Sequence, residues 1–226
     1  MSAAQGRAVK RGVPYPWLKP AIFTGALTPL AAMALRAARG TLSADPIAYV
    51  LNQFGLLTLI FLIATLALTP LRKLFGWTWP IRIRRTVGLF AFFYACLHFT
   101  TYVAVDQSFR LQAILEDIVK RKFIFVGFTA FVLLIPLAAT STNGMVRRLG
   151  AARWQRLHQL VYPAAILGAI HFLWRVKKDI TQPAAYGMVL AALLGIRVAY
   201  ALLARGKKRD PSAGRVPKAA SEVDRG

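Results

Sequence analysis

The stretch LHQLVYPAAILGAIHFLW, Leu157–Trp174, contains no Asp, Glu, Lys or Arg, yet it holds two of the three histidines in the chain, His158 and His171. Its apolar residues run on without the alternation of a half-buried strand, and its length matches the roughly 20 residues a helix needs to cross a bilayer. The third histidine, His98, lies in a similar run, TVGLFAFFYACLHFTTYVAV, Thr86–Val105. Working outward from these two, four more apolar runs appear, at about Pro16–Leu35, Ile47–Leu71, Phe123–Thr140 and Ala184–Ala204, the last interrupted by Arg197. Backbone polar groups in lipid find no water, so only helices or closed barrels span it, and continuous apolar runs select helices. The expected fold is all-α: a polytopic membrane protein with a bundle of six transmembrane helices over residues 16–204. It is flanked by a basic N-terminal segment, 1–15, and a disordered basic tail, 205–226.

Composition agrees. The chain is 226 residues long and 57% hydrophobic, with a mean hydropathy of +0.49. Its net charge of +22 suggests nucleic acid until the charges are placed. Twenty Lys and Arg fall in the N-terminal segment, the second and fourth loops and the tail, against nine in the other loops, with Arg197 inside a span. That asymmetry is the positive-inside pattern. It predicts both termini in the cytoplasm, a tail resting near anionic membrane lipid, and no nucleic-acid partner. No small-residue cleavage pattern follows a short apolar core near the start, so no signal peptide is expected. A single cysteine, Cys96, gives no intramolecular disulfide and reads as a small apolar filler. Trp17, Trp77, Trp79, Trp154 and Trp174 fall at span ends, as an interfacial belt would. No G-x-G-x-x-G or P-loop is present, so a nucleotide-binding domain is not expected.

Ionisable groups inside a membrane are costly and mark function. One histidine alone is equally well explained by a hydrogen bond between helices, but three confined to two spans favour metal ligation: imidazole suits iron, copper and zinc, and haem takes axial histidine. His158 and His171 are 13 residues apart, about 20 Å along a helix, too far to share one ion. Two stacked haems, held between helices three and five in the two halves of the bilayer, fit that separation. These helices run in the same direction, so His98 and His171 lie at similar depth and pair across one haem. The position matching His158, 14 residues before His98, is Arg84. Arg84 has three readings: a topogenic charge, a partner for a haem propionate, or a direct ligand. Arg85 beside it, and Arg153 and Arg156 just before His158, are further candidates for propionates, with topology as their plainer role. A spacing of 13 leaves the two rings about 140° out of phase on an ideal helix, and Pro163 between them is expected to re-aim one. Gly88, Gly127, Gly168 and Gly195 allow close approach of a helix or a porphyrin.

The runs LALTPLRKLFG, RRTVGLFAFFYACLHFTTY, VGFTAFVLLIPLAATS and RWQRLHQLVYPAAILGAIHFLW resemble the MsrQ (YedZ) family, the haem-binding membrane subunits of the periplasmic methionine-sulfoxide reductase system, within the ferric-reductase-like transmembrane group. The resemblance covers about residues 10–205. It implies a bacterial inner-membrane bundle carrying haem b, one or two per chain, with His98, His158 and His171 as the family's iron-binding histidines and Arg84 where the wider group has a fourth. It implies electron delivery to a periplasmic molybdopterin-containing subunit that reduces methionine sulfoxide in envelope proteins. The donor it implies is a cytoplasmic flavin reductase or the quinone pool, with flavin mononucleotide (FMN) associated. The chain is then an electron-transfer subunit, with electrons arriving near His158 and leaving near His98 and His171, and sulfoxide reduction occurring on the partner. The rivals are a stand-alone ferric or quinone-linked haem reductase, and a non-redox transporter or assembly factor with histidines as proton carriers.

Overall fold

The computed structural model describes residues 15–176 and 178–209. Among them the regular structure is helical throughout, and six helices are long and apolar enough to cross a membrane. The protein is a multi-pass membrane protein. The expected N-terminal segment 1–14 and the tail beyond Arg209 lie outside the described residues.

The first span is α1, Leu18–Ala38, and the second is α2, Pro46–Phe75. Sequence punctuates α2 at both ends. Asp45 accepts a hydrogen bond from the Ala48 amide at 3.0 Å, Pro46 opens the first turn, and Gly76 closes the helix with φ +68°. The third span begins with α3, Trp79–Thr100, seven residues before the apolar run suggests, so Arg84 and Arg85 stand inside a helix rather than in a loop. It ends in a π-helical turn, Thr101–Asp106.

A short helix, α4 (Leu111–Lys120), follows and leads into the fourth span, α5 (Lys122–Ala139). No span-length run announces α4. The Tyr102 hydroxyl donates to Asp117 at 3.1 Å and Arg121 pairs with Asp117 at 3.0 Å, which tethers α4 to the end of the third span. After α6, Asn143–Leu149, the fifth span is built from two helices, α7 (Ala151–His158) and α8 (Val161–Arg175). The sixth is α9, Thr181–Arg209, three residues longer at its start and five at its end than expected.

Alternating crossings make α3 and the α7–α8 pair parallel. Helix α2 packs along α3, and α5 along α8, as the two broadest contacts in the bundle. The most buried residues are small or aromatic: Ala91, Ala164 and Ala165 let helices close up, while Tyr94 is fully buried. The Tyr94 hydroxyl donates to the Ala26 carbonyl of α1, and its ring stacks on Phe61 at 5.6 Å. Side chains such as Met188, Val198 and Leu203 point outward and are exposed, the surface that lipid covers.

Candidate functional site

Two cavities open between the helices, one toward each end of the bundle. The first, about 480 Å³, lies toward the α4 end and is lined by both His98 and His171. Their ring centroids are 6.1 Å apart with planes at 80°. The second, about 540 Å³, is lined by His158, Trp154, Arg84, Arg85 and Arg197. Leu62 and Leu134 line both cavities and stand between them.

Each imidazole is held in one way. His98 Nδ1 donates to the Leu51 carbonyl at 2.9 Å, and His171 Nδ1 donates to the Phe123 carbonyl at 2.6 Å. His158 Nδ1 donates to the Trp154 carbonyl at 3.1 Å. A carbonyl only accepts, so in all three rings the proton is on Nδ1 and Nε2 carries a lone pair. Ser141 Oγ is 3.5 Å from His158 Nε2, but its one hydroxyl proton goes to the Leu137 carbonyl at 2.7 Å. The lone pairs therefore remain available to a metal. A backbone carbonyl on the far ring nitrogen is the usual support for a metal-binding imidazole.

Two glycines make room for these rings. A Cβ on Gly127 would lie 2.5 Å from His171 Nδ1, inside any allowed contact. A Cβ on Gly55 would lie 3.2 Å from His98 Cε1. Of the glycines singled out from sequence, Gly127 is thus a seat for an imidazole. Gly88 faces Thr65, Gly168 lines the His98/His171 cavity, and Gly168 and Gly195 both have open space before them. Gly55 escaped the sequence reading because the ring it makes room for, His98, lies 43 residues away on another helix.

The His158 cavity, the inner one in the sidedness expected from the charge pattern, is aromatic and cationic. Trp154 stacks on His158 with centroids 3.8 Å apart and donates from Nε1 to the Thr140 carbonyl at 2.9 Å. It is therefore a wall of the cavity rather than part of an interfacial belt. Arg84 Nη1 reaches Thr69 Oγ1 at 3.5 Å, and Arg85 Nη1 donates to Asn143 Oδ1 at 2.7 Å. Arg84 is thus brought to the His158 cavity, as helix geometry requires. Arg153 and Arg156 line neither cavity; both side chains are exposed on α7. Structure adds Arg197 of α9 to the inner cavity, and Arg121 and Arg175 to the outer one. The signal for Arg197 was visible in sequence as the one charge breaking the sixth apolar run.

The imidazole spacing fits one iron held by both rings: metal–nitrogen bonds of about 2 Å to two imidazoles would bring the ring centroids to roughly 6 Å.

Residues 53–169 match the model of the ferric reductase like transmembrane component family. A protein-methionine-sulfoxide reductase heme-binding subunit MsrQ from Herminiimonas arsenicoxydans is 53% identical over 192 residues, covering 84% of this chain and 88% of its own. The MsrQ of Rhodospirillum rubrum is 50% identical over 192 residues, 85% of this chain and 92% of its own. The MsrQ of Deinococcus radiodurans is 50% identical over 184 residues, 81% and 91%. With a family match over half its length and such identity along most of the rest, the chain belongs to the ferric-reductase-like transmembrane components, in their MsrQ branch.

Proposed function

We propose that the protein is a transmembrane electron conduit that carries haem b and serves a methionine-sulfoxide reductase. The observation that carries this is the His98/His171 pair: two imidazoles from parallel spans, one tautomer, free Nε2 atoms, and centroids at the separation one iron requires. Bound haem supplies a one-electron couple that neither ring has alone.

The chain's own residues hold, insulate and balance that group. The Leu51 and Phe123 carbonyls fix the orientation and tautomer of the two rings. Phe99, Phe128, Phe131 and Leu134 wall the outer cavity and exclude water. Arg175 lines the same cavity and offers a guanidinium fork to a carboxylate, while Arg121, also in the lining, is engaged with Asp117. Toward the other end, His158 offers a single imidazole, and no histidine faces it. In this reading the inner cavity would hold a second redox group, haem b or FMN, with His158 and Arg84 lining its place and a cytoplasmic flavin reductase or quinol as the electron source. Leu62 and Leu134, which line both cavities, would stand between the two groups.

The setting we propose is the bacterial inner membrane with both termini in the cytoplasm, the side that holds the inner cavity. The His98/His171 end then faces the periplasm, where a molybdopterin-containing partner takes the electrons and reduces methionine sulfoxide. This chain carries no oxygen-atom chemistry of its own in that scheme.

Haem per chain and the reduced spectrum of purified protein test the reading. His98→Ala and His171→Ala are each expected to lose the same low-spin haem, and His158→Ala to spare it while losing or altering the inner group. Full low-spin haem in either of the first two variants would overturn the pairing. A wild-type protein without haem would overturn the conduit.

A further inference from the structure

The inner cavity holds more positive charge than an electron path needs. Arg84, Arg85 and Arg197 all line it, and no Asp or Glu is among its lining residues. The ion pairs among the described residues, Lys120–Glu116 and Arg121–Asp117, belong to the opposite end of the bundle. Charges within a membrane span are kept only where they find a counter-charge or a polar partner.

Arg197 is the most exposed case of this imbalance. Its Nη1 donates to the Tyr162 hydroxyl at 2.7 Å and its Nη2 to the Leu66 carbonyl at 2.7 Å, both neutral groups. Its guanidinium carbon lies 5.3 Å from the centre of the Tyr162 ring. Its Nε is buried and has no hydrogen-bond partner. A guanidinium has five N–H donors. The two contacts therefore hold the group still while leaving Nε–H, one prong of the edge that takes an oxyanion two-pronged, without a partner.

We propose that Arg197 and Arg84 form an oxyanion clamp for the redox group of the inner cavity. The ligand chemistry is a carboxylate or phosphate carried on a conjugated ring system, held in the cavity that His158 and Trp154 line. A haem propionate and a flavin phosphate share that chemistry. The clamp makes the sixth span part of the cofactor site, although its histidines come only from the third and fifth. This inference rests on the conduit reading, in which the inner cavity takes a second redox group.

The plain alternative is that Arg197 merely ties α9 to α2 and α8. The test uses full-length protein purified in detergent, with haem and acid-released flavin counted per chain and midpoint potentials titrated. Arg197→Gln is expected to lose more than half of one component, the same component lost in His158→Ala, and to keep the His98/His171-dependent spectrum. Loss of haem identifies a carboxylate, and loss of flavin a phosphate. The fraction retained should be harder to reduce, because a nearby positive charge is gone. A tenfold shift of that equilibrium is about 59 mV for one electron. Tyr162→Phe removes one tether but not the Nε edge and is expected to keep wild-type content. If Arg197→Gln does not accumulate, Arg197→Lys keeps the charge without the fork and is expected to lower the content of the same component.

Wild-type content and potential in the position-197 variant overturn the clamp. So does an equal loss in Arg197→Gln and Tyr162→Phe, which identifies a tether. If His158→Ala loses the inner group and Arg197→Gln does not, only the clamp fails. If wild-type protein and His158→Ala both hold the outer haem alone, the second redox group and the clamp fail together.

Discussion

Gly127 sets how closely α5 approaches the imidazole of His171. A methyl group there would meet the ring at 2.5–3.0 Å, so ring or helix must move, and the 2.6 Å bond to the Phe123 carbonyl, on the same helix, moves with it. Gly127→Ala is therefore expected to halve, at least, the low-spin haem of the outer site in a difference spectrum. Gly187→Ala, where no atom lies within 4 Å of the added carbon, is expected to leave it unchanged. The three histidines and Arg84 were legible in the sequence, because ionisable groups stand out in apolar runs and helix rise converts spacing into depth. The tautomers were not. The acceptors for His98 and His171 lie 47 and 48 residues away and are backbone atoms, invisible to any pattern of side chains. Proximity in sequence also misled: Arg153 and Arg156 adjoin His158 but project from α7 away from both cavities, whereas Arg197, 39 residues further on, reaches the inner one.

At the scale of helices, the decisive feature is the break between α7 and α8. Pro163 does not kink the span at its own position. It is the third residue of α8, inside the first turn, where its missing N–H costs little. The break falls at Gln159 and Leu160. There Gln159, Leu160 and Tyr162 each donate to the carbonyl three residues back, at 3.0–3.1 Å. Winding of three residues per turn adds about 20° per residue over an α-helix, which narrows the phase gap between the two histidines. An alanine inserted between Gln159 and Leu160 would turn α8 by about 100° relative to α7. The expected outcome is loss of the His98/His171 haem with the His158-dependent component retained, read as haem and flavin per purified chain. Five of the six spans emerged from apolar run length as continuous helices, and the fifth as a helix pair. Helix α4 did not emerge at all, being too short to cross a membrane and mixed in polarity. The early start of α3 was hidden for the same reason: Arg82, Arg84 and Arg85 lower the hydropathy of a segment that is helical nonetheless.

Across the whole molecule, the charge pattern and the two cavities tell one story. The twenty-to-nine division of Lys and Arg puts the Arg84/His158 end on the more basic side. Reporter fusions at the C-terminus are expected to be active only when the reporter works in the cytoplasm, and periplasmic activity would reverse the proposed orientation. The bundle as a whole was readable from sequence, because lipid leaves few choices of fold. How its cavities divide was not readable, since that depends on Leu62 and Leu134 from different helices meeting at mid-depth.

In the proposed conduit, that leucine partition would also bring sensitivity to voltage. In the proposed orientation, each electron crossing from the inner to the outer cavity carries negative charge outward through the least polarisable part of the bilayer. An inside-negative membrane favours that step. A full charge crossing the whole membrane is worth about 2.3 kcal/mol per 100 mV, and this step takes the share set by the distance between the cavities. Repair of oxidised proteins in the periplasm would then draw on the energised state of the membrane as well as on the reducing power of the cytoplasm, and would slow when an ionophore collapses the potential.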